Sequence, residues 1–167
     1  MEVFKKAGII YTTGFFITSN FEAQTEVLKL AAAENIPLAF NLSATFLIQF
    51  NTEQLNACLE YADYIFCNDD EGKVFGEVNK VDQPNGLIDV AKHLAGWKKA
   101  NEKRERYVFI TCGSKPTLAA VRKTDGTVES REVPIPEIAA DKIVDTNGAG
   151  DSFVGAFLAQ LLLGKDI

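Results

Sequence analysis

Strand-like and helix-like blocks of apolar residues alternate along this 167-residue chain, and that alternation narrows the fold more than any other feature. Ala7 to Thr13 reads as a buried strand closing on Gly14. Ser19 to Asn35 reads as a helix, with Ser19 and Glu22 at the spacing of a capping box and Val27, Leu28, Leu30 and Ala31 on its buried face. Ile36 to Leu42 predicts a second strand, and Thr52 to Ala62 a helix with Leu55 and Leu59 on one face. Tyr64 to Cys67 predicts a third strand that stops at Asn68-Asp69-Asp70-Glu71. Helices are expected over Gly72 to Val78 and from near Pro84 to about Lys99, then a strand over Tyr107 to Thr111 ended by Gly113. Leu118 to Arg122 and Val128 to Val133 flank Thr124-Asp125-Gly126-Thr127, and Asp-Gly between strands signals a hairpin. A last helix runs from about Ala149 to Leu163, with Phe153, Phe157 and Leu161 stacked at helical spacing.

Such alternation argues for an α/β fold, a largely parallel central sheet with helices on both faces. The length suits one domain over residues 1–167, and no repeat, low-complexity segment or linker marks a second. With 47% hydrophobic and 24% charged residues, the chain has enough apolar surface to build a core rather than stay disordered. No apolar run approaches the roughly 20 residues of a membrane span. Met1 to Lys6 lacks the features of a secretory signal, so a cytosolic (or nuclear) protein without membrane partners is the expectation. The net charge of −6 argues against nucleic acid, whose binders gather a basic face. The one dense basic run, Lys98 to Arg106, is broken by Glu102 and Glu105 and reads as a solvated helix end and loop. Cys58, Cys67 and Cys112 fit neither a zinc site nor a disulfide framework. The first two read as small core residues, and a reactive role for Cys112 stays open. The lone His93 lies in a helical pattern with no nucleophile near it, which points to packing or surface.

In parallel sheets, ligands bind beyond the carboxyl ends of the strands, where loops lead into helices. Three loops have suitable chemistry, those starting at Asn68, Thr111 and Asp145. The third, Asp145-Thr146-Asn147-Gly148-Ala149-Gly150-Asp151, is a glycine-rich turn feeding an apolar helix. Its backbone N–H groups can converge on an anion that the helix dipole also favours. Asp151 sits in the same turn, and a carboxylate there makes sense as the acceptor of a proton from a hydroxyl that attacks a phosphoryl group. The plainer alternative is a turn capped by Asp145 with Asp151 as an ordinary acid near a helix start. The segment lacks the lysine and hydroxyl residue of a P-loop, and Phe153 stands where a dinucleotide fingerprint needs its third glycine.

Asp-Thr-x-Gly-Ala-Gly-Asp, followed by Ser152-Phe153, resembles the signature of the ribokinase-like (PfkB) kinase family. Asn147 in the variable place, Asn41-Leu42-Ser43-Ala44 with Phe46, and Gly14-Phe15-Phe16 are similar to the adenosine-kinase branch of it. The resemblance runs from the first strand to the last helix. It implies a ribokinase-like three-layer α/β/α sandwich and transfer of a phosphoryl group from ATP, with Mg2+, to the 5′-hydroxyl of adenosine. Asp151 would be the base; Gly148, Ala149 and Gly150 the anion hole; Asp145 and Thr146 the residues that shape the turn. Asn68 and Glu71 match an N-x-x-E motif tied to magnesium and phosphate, although that spacing alone also describes a capping box. Thr111 and Gly113 match a nucleotide-binding T-x-G, with Cys112 where glutamine is common. Phe15 and Phe46 match aromatic positions around the nucleoside, and an aromatic pair equally suits a core.

A complete member of the family is about double this length. Its amino-terminal half supplies a lid, a Gly-Gly substrate loop and a ribose-binding aspartate, and its last helices enclose the adenine of ATP. The expectation is therefore a partial chain of a monomeric enzyme, weakly active or inactive alone. The competing readings are a sugar kinase of the same family and a non-catalytic nucleotide-binding fragment.

Overall fold

Tyr64-Ile65-Phe66-Cys67 is apolar at every position, as a strand enclosed on both faces must be. In the computed structural model, which describes residues 4–167, this stretch is the middle of a six-stranded sheet. The strands are β1 (Ile10–Thr13), β2 (Leu38–Asn41), β3 (Tyr64–Asn68), β4 (Arg106–Cys112), β5 (Lys115–Arg122) and β6 (Val128–Val133), lying in chain order. The first four run parallel, and β4–β5–β6 form an antiparallel meander at one side. The helices are α1 (Phe15–Ala33), α2 (Thr45–Phe50), α3 (Thr52–Leu59), α4 (Asp69–Val78), α5 (Leu87–Gly96) and α6 (Ala149–Leu162).

Side chains alternate across the strands. One face carries Phe40, Ile65, Val108 and Ile110 into a core closed by Leu28, Leu47, Leu55, Phe75 and Leu94 from α1 to α5. The other carries Ala39, Tyr64, Phe66 and Phe109 against Phe153 and Phe157 of α6. The α/β/α layering holds, with a much thinner second layer among the described residues.

Three expectations give way. Helix α1 starts at Phe15, not Ser19, and is interrupted at Asn20 (φ −165°, ψ 89°), whose Oδ1 accepts from Ala23 N at 2.9 Å. Asn20 therefore caps the longer segment in place of the Ser19–Glu22 box. Helix α2 forms where no helix is expected. The basic run is solvated only in part: Lys98, Glu102 and Lys103 are exposed, but Lys99 and Arg106 are buried. Asp63, also buried, accepts from Lys99 Nζ at 2.6 Å, Arg104 Nε at 3.2 Å and Leu38 N at 3.0 Å. Arg106 donates to the carbonyls of Leu59, Glu60, Ala62, Leu94, Trp97 and Lys98, and burial brings its guanidinium down to about 10. A buried charge persists only when paired or fully hydrogen-bonded, and both conditions are met here. His93 packs against Phe75 and Trp97, with ring centroids at 6.4 and 5.6 Å.

Candidate active site

The carboxyl ends of the parallel strands open into a cleft of about 660 Å³. On one side it is lined by Thr146 to Asp151, with Phe153 and Val154 behind them. Asp145 does not line the cleft; its Oδ1 accepts from Asn147 N at 2.8 Å and so shapes the turn from behind. Gly148, the residue before α6, has φ 73°, a left-handed conformation open to glycine at little cost. Its carbonyl accepts from Ser152 N at 2.9 Å, while Ala149 N donates to Thr146 O at 3.2 Å. Ala149 thus spends its N–H inside the turn. The amides of Gly150 and Asp151 follow in the first turn of α6, where a helix leaves N–H groups without acceptors and favours negative charge. No atom lies near a Cβ built at Gly148 or Gly150, so the turn stands clear on its outer side.

Asn68, Glu71 and Thr111 join the lining from β3, α4 and β4. Asn68 and Glu71 form the capping box of α4, which begins at Asp69 rather than Gly72. Asn68 Oδ1 accepts from Glu71 N at 2.8 Å; the two Glu71 carboxylate oxygens accept from Asn68 N at 3.1 Å and Asn68 Nδ2 at 3.0 Å. Burial raises the Glu71 pKa against the lowering effect of that backbone bond. Among the described residues no group of three or more His, Cys, Asp or Glu gathers to hold a metal. The carboxylates that line the cleft are Glu71 and Asp151.

The loop at Thr111 does not lead into a helix. Cys112 pairs with Lys115, and Gly113 (φ 60°) makes a tight turn straight into β5. Thr111 reaches the cleft and Gly113 does not line it. Of the aromatic pair, Phe15 lines the cleft and Phe46 sits outside the lining, with their centroids 6.2 Å apart. Both rings are about half exposed, so neither belongs to the core. Burial raises the thiols of Cys67 and Cys112, which leaves both as poor nucleophiles.

Thr13, Asn41, Ser43 and Phe66 also line the cleft. Asn41 and Ser43 stand in a segment that the resemblance singles out, but their meeting with Thr13 depends on register: Thr13 pairs with Asn41, and Asn41 with Phe66. Polar residues at strand ends give no signal of their own until the strands are ordered.

Known proteins share this fold and much of this sequence. The sequence profile of the pfkB family of carbohydrate kinases matches residues 1–167. Adenosine kinase 1 of Arabidopsis thaliana is 38% identical over 98% of this chain, which covers 46% of that protein. The crystal structure of Anopheles gambiae adenosine kinase in complex with P1,P4-di(adenosine-5) tetraphosphate superposes with a TM-score of 0.90 at 39% identity, over 99% of this chain and 47% of its own. Adenosine kinase from Schistosoma mansoni, solved with adenosine in an occluded loop conformation, gives 0.88 at 32% identity, over 99% and 47%. The chain spans about half the length of the relatives it matches. A profile that matches from end to end, on a fold that superposes this closely, places the chain in the pfkB family of carbohydrate kinases.

Proposed function

We propose that this chain carries the phosphoryl-transfer side of an ATP-dependent kinase that converts adenosine to AMP. The observation that carries the reading is the turn at Gly148 to Gly150, which opens α6 into the cleft with Asp151 in the helix's first turn. Asp151 takes the proton of the 5′-hydroxyl. The amides of Gly148, Gly150 and Asp151 receive the charge of the transferring phosphoryl group; Ala149 keeps the turn closed through its bond to Thr146. Thr111, which lines the cleft, would contact the nucleotide's phosphates, and the turn at Gly113 lets β4 end beside it. Phe15 faces the nucleoside with Phe46 braced behind it, which fits their exposure and mutual contact.

Magnesium belongs to the same reading. Asn68 and Glu71 would hold it through water, because both Glu71 oxygens are already bonded to Asn68; it supplies charge neutralisation on the phosphates. The net charge of −6 speaks against nucleic-acid partners. Glu129, Arg131 and Glu132 on edge strand β6 discourage sheet pairing between copies and so support a monomer. No helix among the described residues is long and apolar enough to cross a membrane. Cys58, Cys67 and Cys112 are all unpaired, as suits a reducing compartment such as the cytosol.

The test supplies the chain with the amino-terminal half of a matched relative and follows ADP release from ATP and Mg2+. Release that depends on adenosine is the expected result. Release with free ribose or fructose instead identifies a sugar kinase, and nucleotide binding without release under any acceptor leaves a non-catalytic fragment.

A further inference from the structure

Part of the cleft is built by residues outside the glycine turn and the capping box of α4. Thr13 and Asn41 end adjacent strands in register, and both line the cleft. Asn41 is fixed in orientation: its Oδ1 accepts from Ser43 N at 3.0 Å. The Ser43 hydroxyl donates to Asn41 O at 3.0 Å and accepts from Gly14 N at 3.2 Å. Ser43 adopts φ 73° to close this knot, a left-handed conformation that few residues with a side chain take. Gly14 has no alternative, because a Cβ there would lie 2.5 Å from Leu42 O. An amide whose oxygen is committed on one side presents its NH2 on the other. Thr12 turns its hydroxyl to Gln24 Nε2 on the α1 face, so strand alternation sends the Thr13 hydroxyl to the cleft face.

These donors are uncharged. A phosphoryl group is matched by the glycine turn and the helix dipole, whereas a neutral amide and a neutral hydroxyl suit a neutral oxygen. We propose that Asn41 and Thr13 form the acceptor subsite, donating to the two lone pairs of the hydroxyl that attacks. The inference rests on the kinase reading above. During transfer the Thr13 bond is given up as that lone pair forms the new bond to the γ-phosphorus. The bond from the γ-phosphorus to the bridging oxygen breaks, and its electron pair leaves with ADP. The hydroxyl proton passes to Asp151, while Asn41 keeps its bond and holds the oxygen in line.

Amide spectra of the reconstituted kinase, this chain joined to the amino-terminal half of a matched relative, test this, recorded with adenosine, with 5′-deoxyadenosine and with ATP·Mg2+. Adenosine should shift the Asn41 side-chain amide, and 5′-deoxyadenosine, which lacks the hydroxyl, should leave it in place. Asn41→Asp keeps the acceptor for Ser43 N while removing the donor, and Thr13→Val keeps the strand shape. Each should weaken adenosine binding about tenfold, and Thr13→Val, which adds no charge, should leave the ATP-induced shifts at Gly148 and Gly150 in place. Equal response to the two nucleosides, or unchanged adenosine affinity in both variants, overturns the subsite. If ATP still shifts the glycine turn in that case, the kinase reading stands; if neither ligand perturbs the cleft, both fall together.

Discussion

The two faces of the sheet are built to different standards. The face under α1 to α5 is sealed: Phe40, Leu47, Leu55, Phe75 and Leu94 are wholly enclosed. The face under α6 is aromatic and thin, with Phe66 stacked on Phe109 at 5.6 Å and Phe157 meeting Phe109 at 4.7 Å. Val154 is the one buried residue of α6, and Leu162 and Leu163 stay exposed. The glycine turn belongs to this second face. Stability is thus concentrated on one side of the sheet and the proposed chemistry on the other, so mutations should separate the two.

The largest effect expected is on rate. Asp151→Asn should lower turnover about 10²- to 10⁴-fold in the reconstituted kinase. Its thermal midpoint should not move, because Asp151 is exposed; retained turnover would remove it as the base. On the sealed face, Phe75→Ala should cost about 3–5 kcal/mol in denaturant unfolding. Phe157→Ala, on a half-buried ring, should cost about 2 kcal/mol, and a loss equal to that of Phe75 would erase the contrast between the faces. Gly148→Ala places a side chain at φ 73° and should cost about 1 kcal/mol, while slowing transfer by displacing the amides. The smallest effect is pH dependence at His93. Burial lowers its pKa from the ordinary 6.5, so the unfolded chain takes up the proton first as pH falls. Its contribution is therefore complete above 6.5 and declines as pH drops through that value toward the native one. Unfolding midpoints on either side should show the slope, and His93→Asn should flatten it.

Periodicity made the alternating elements legible, since a strand such as Tyr64 to Cys67 announces itself by continuous apolar character. The heptapeptide at Asp145 was legible because glycines, a helix start and an acid coincide within a few residues. Features that depend on distant partners were not. Lys99 and Arg106 looked solvated because Asp63 and the carbonyls that receive them lie far back in the chain. Helix α2 spans only 6 residues, too few to show a helical period. At Asn20 a side-chain cap one residue along displaced a box that spacing alone suggested. Thr13 meets Asn41 only once β1 and β2 are paired, and the turn at Gly113 takes its direction from the pairing of Cys112 with Lys115.

Arg106 binds together more than its own strand. Its guanidinium closes the last carbonyls of α3 and of α5 at once, through Leu59 and Glu60 on one side and Leu94 and Trp97 on the other. Neither helix end can fray while that cation is seated, since release of either would strand its donors in an apolar interior. Amide exchange over 59–62 and 94–98 should therefore proceed through a single opening event, making this end of the sheet one cooperative unit assembled from three separate stretches of chain.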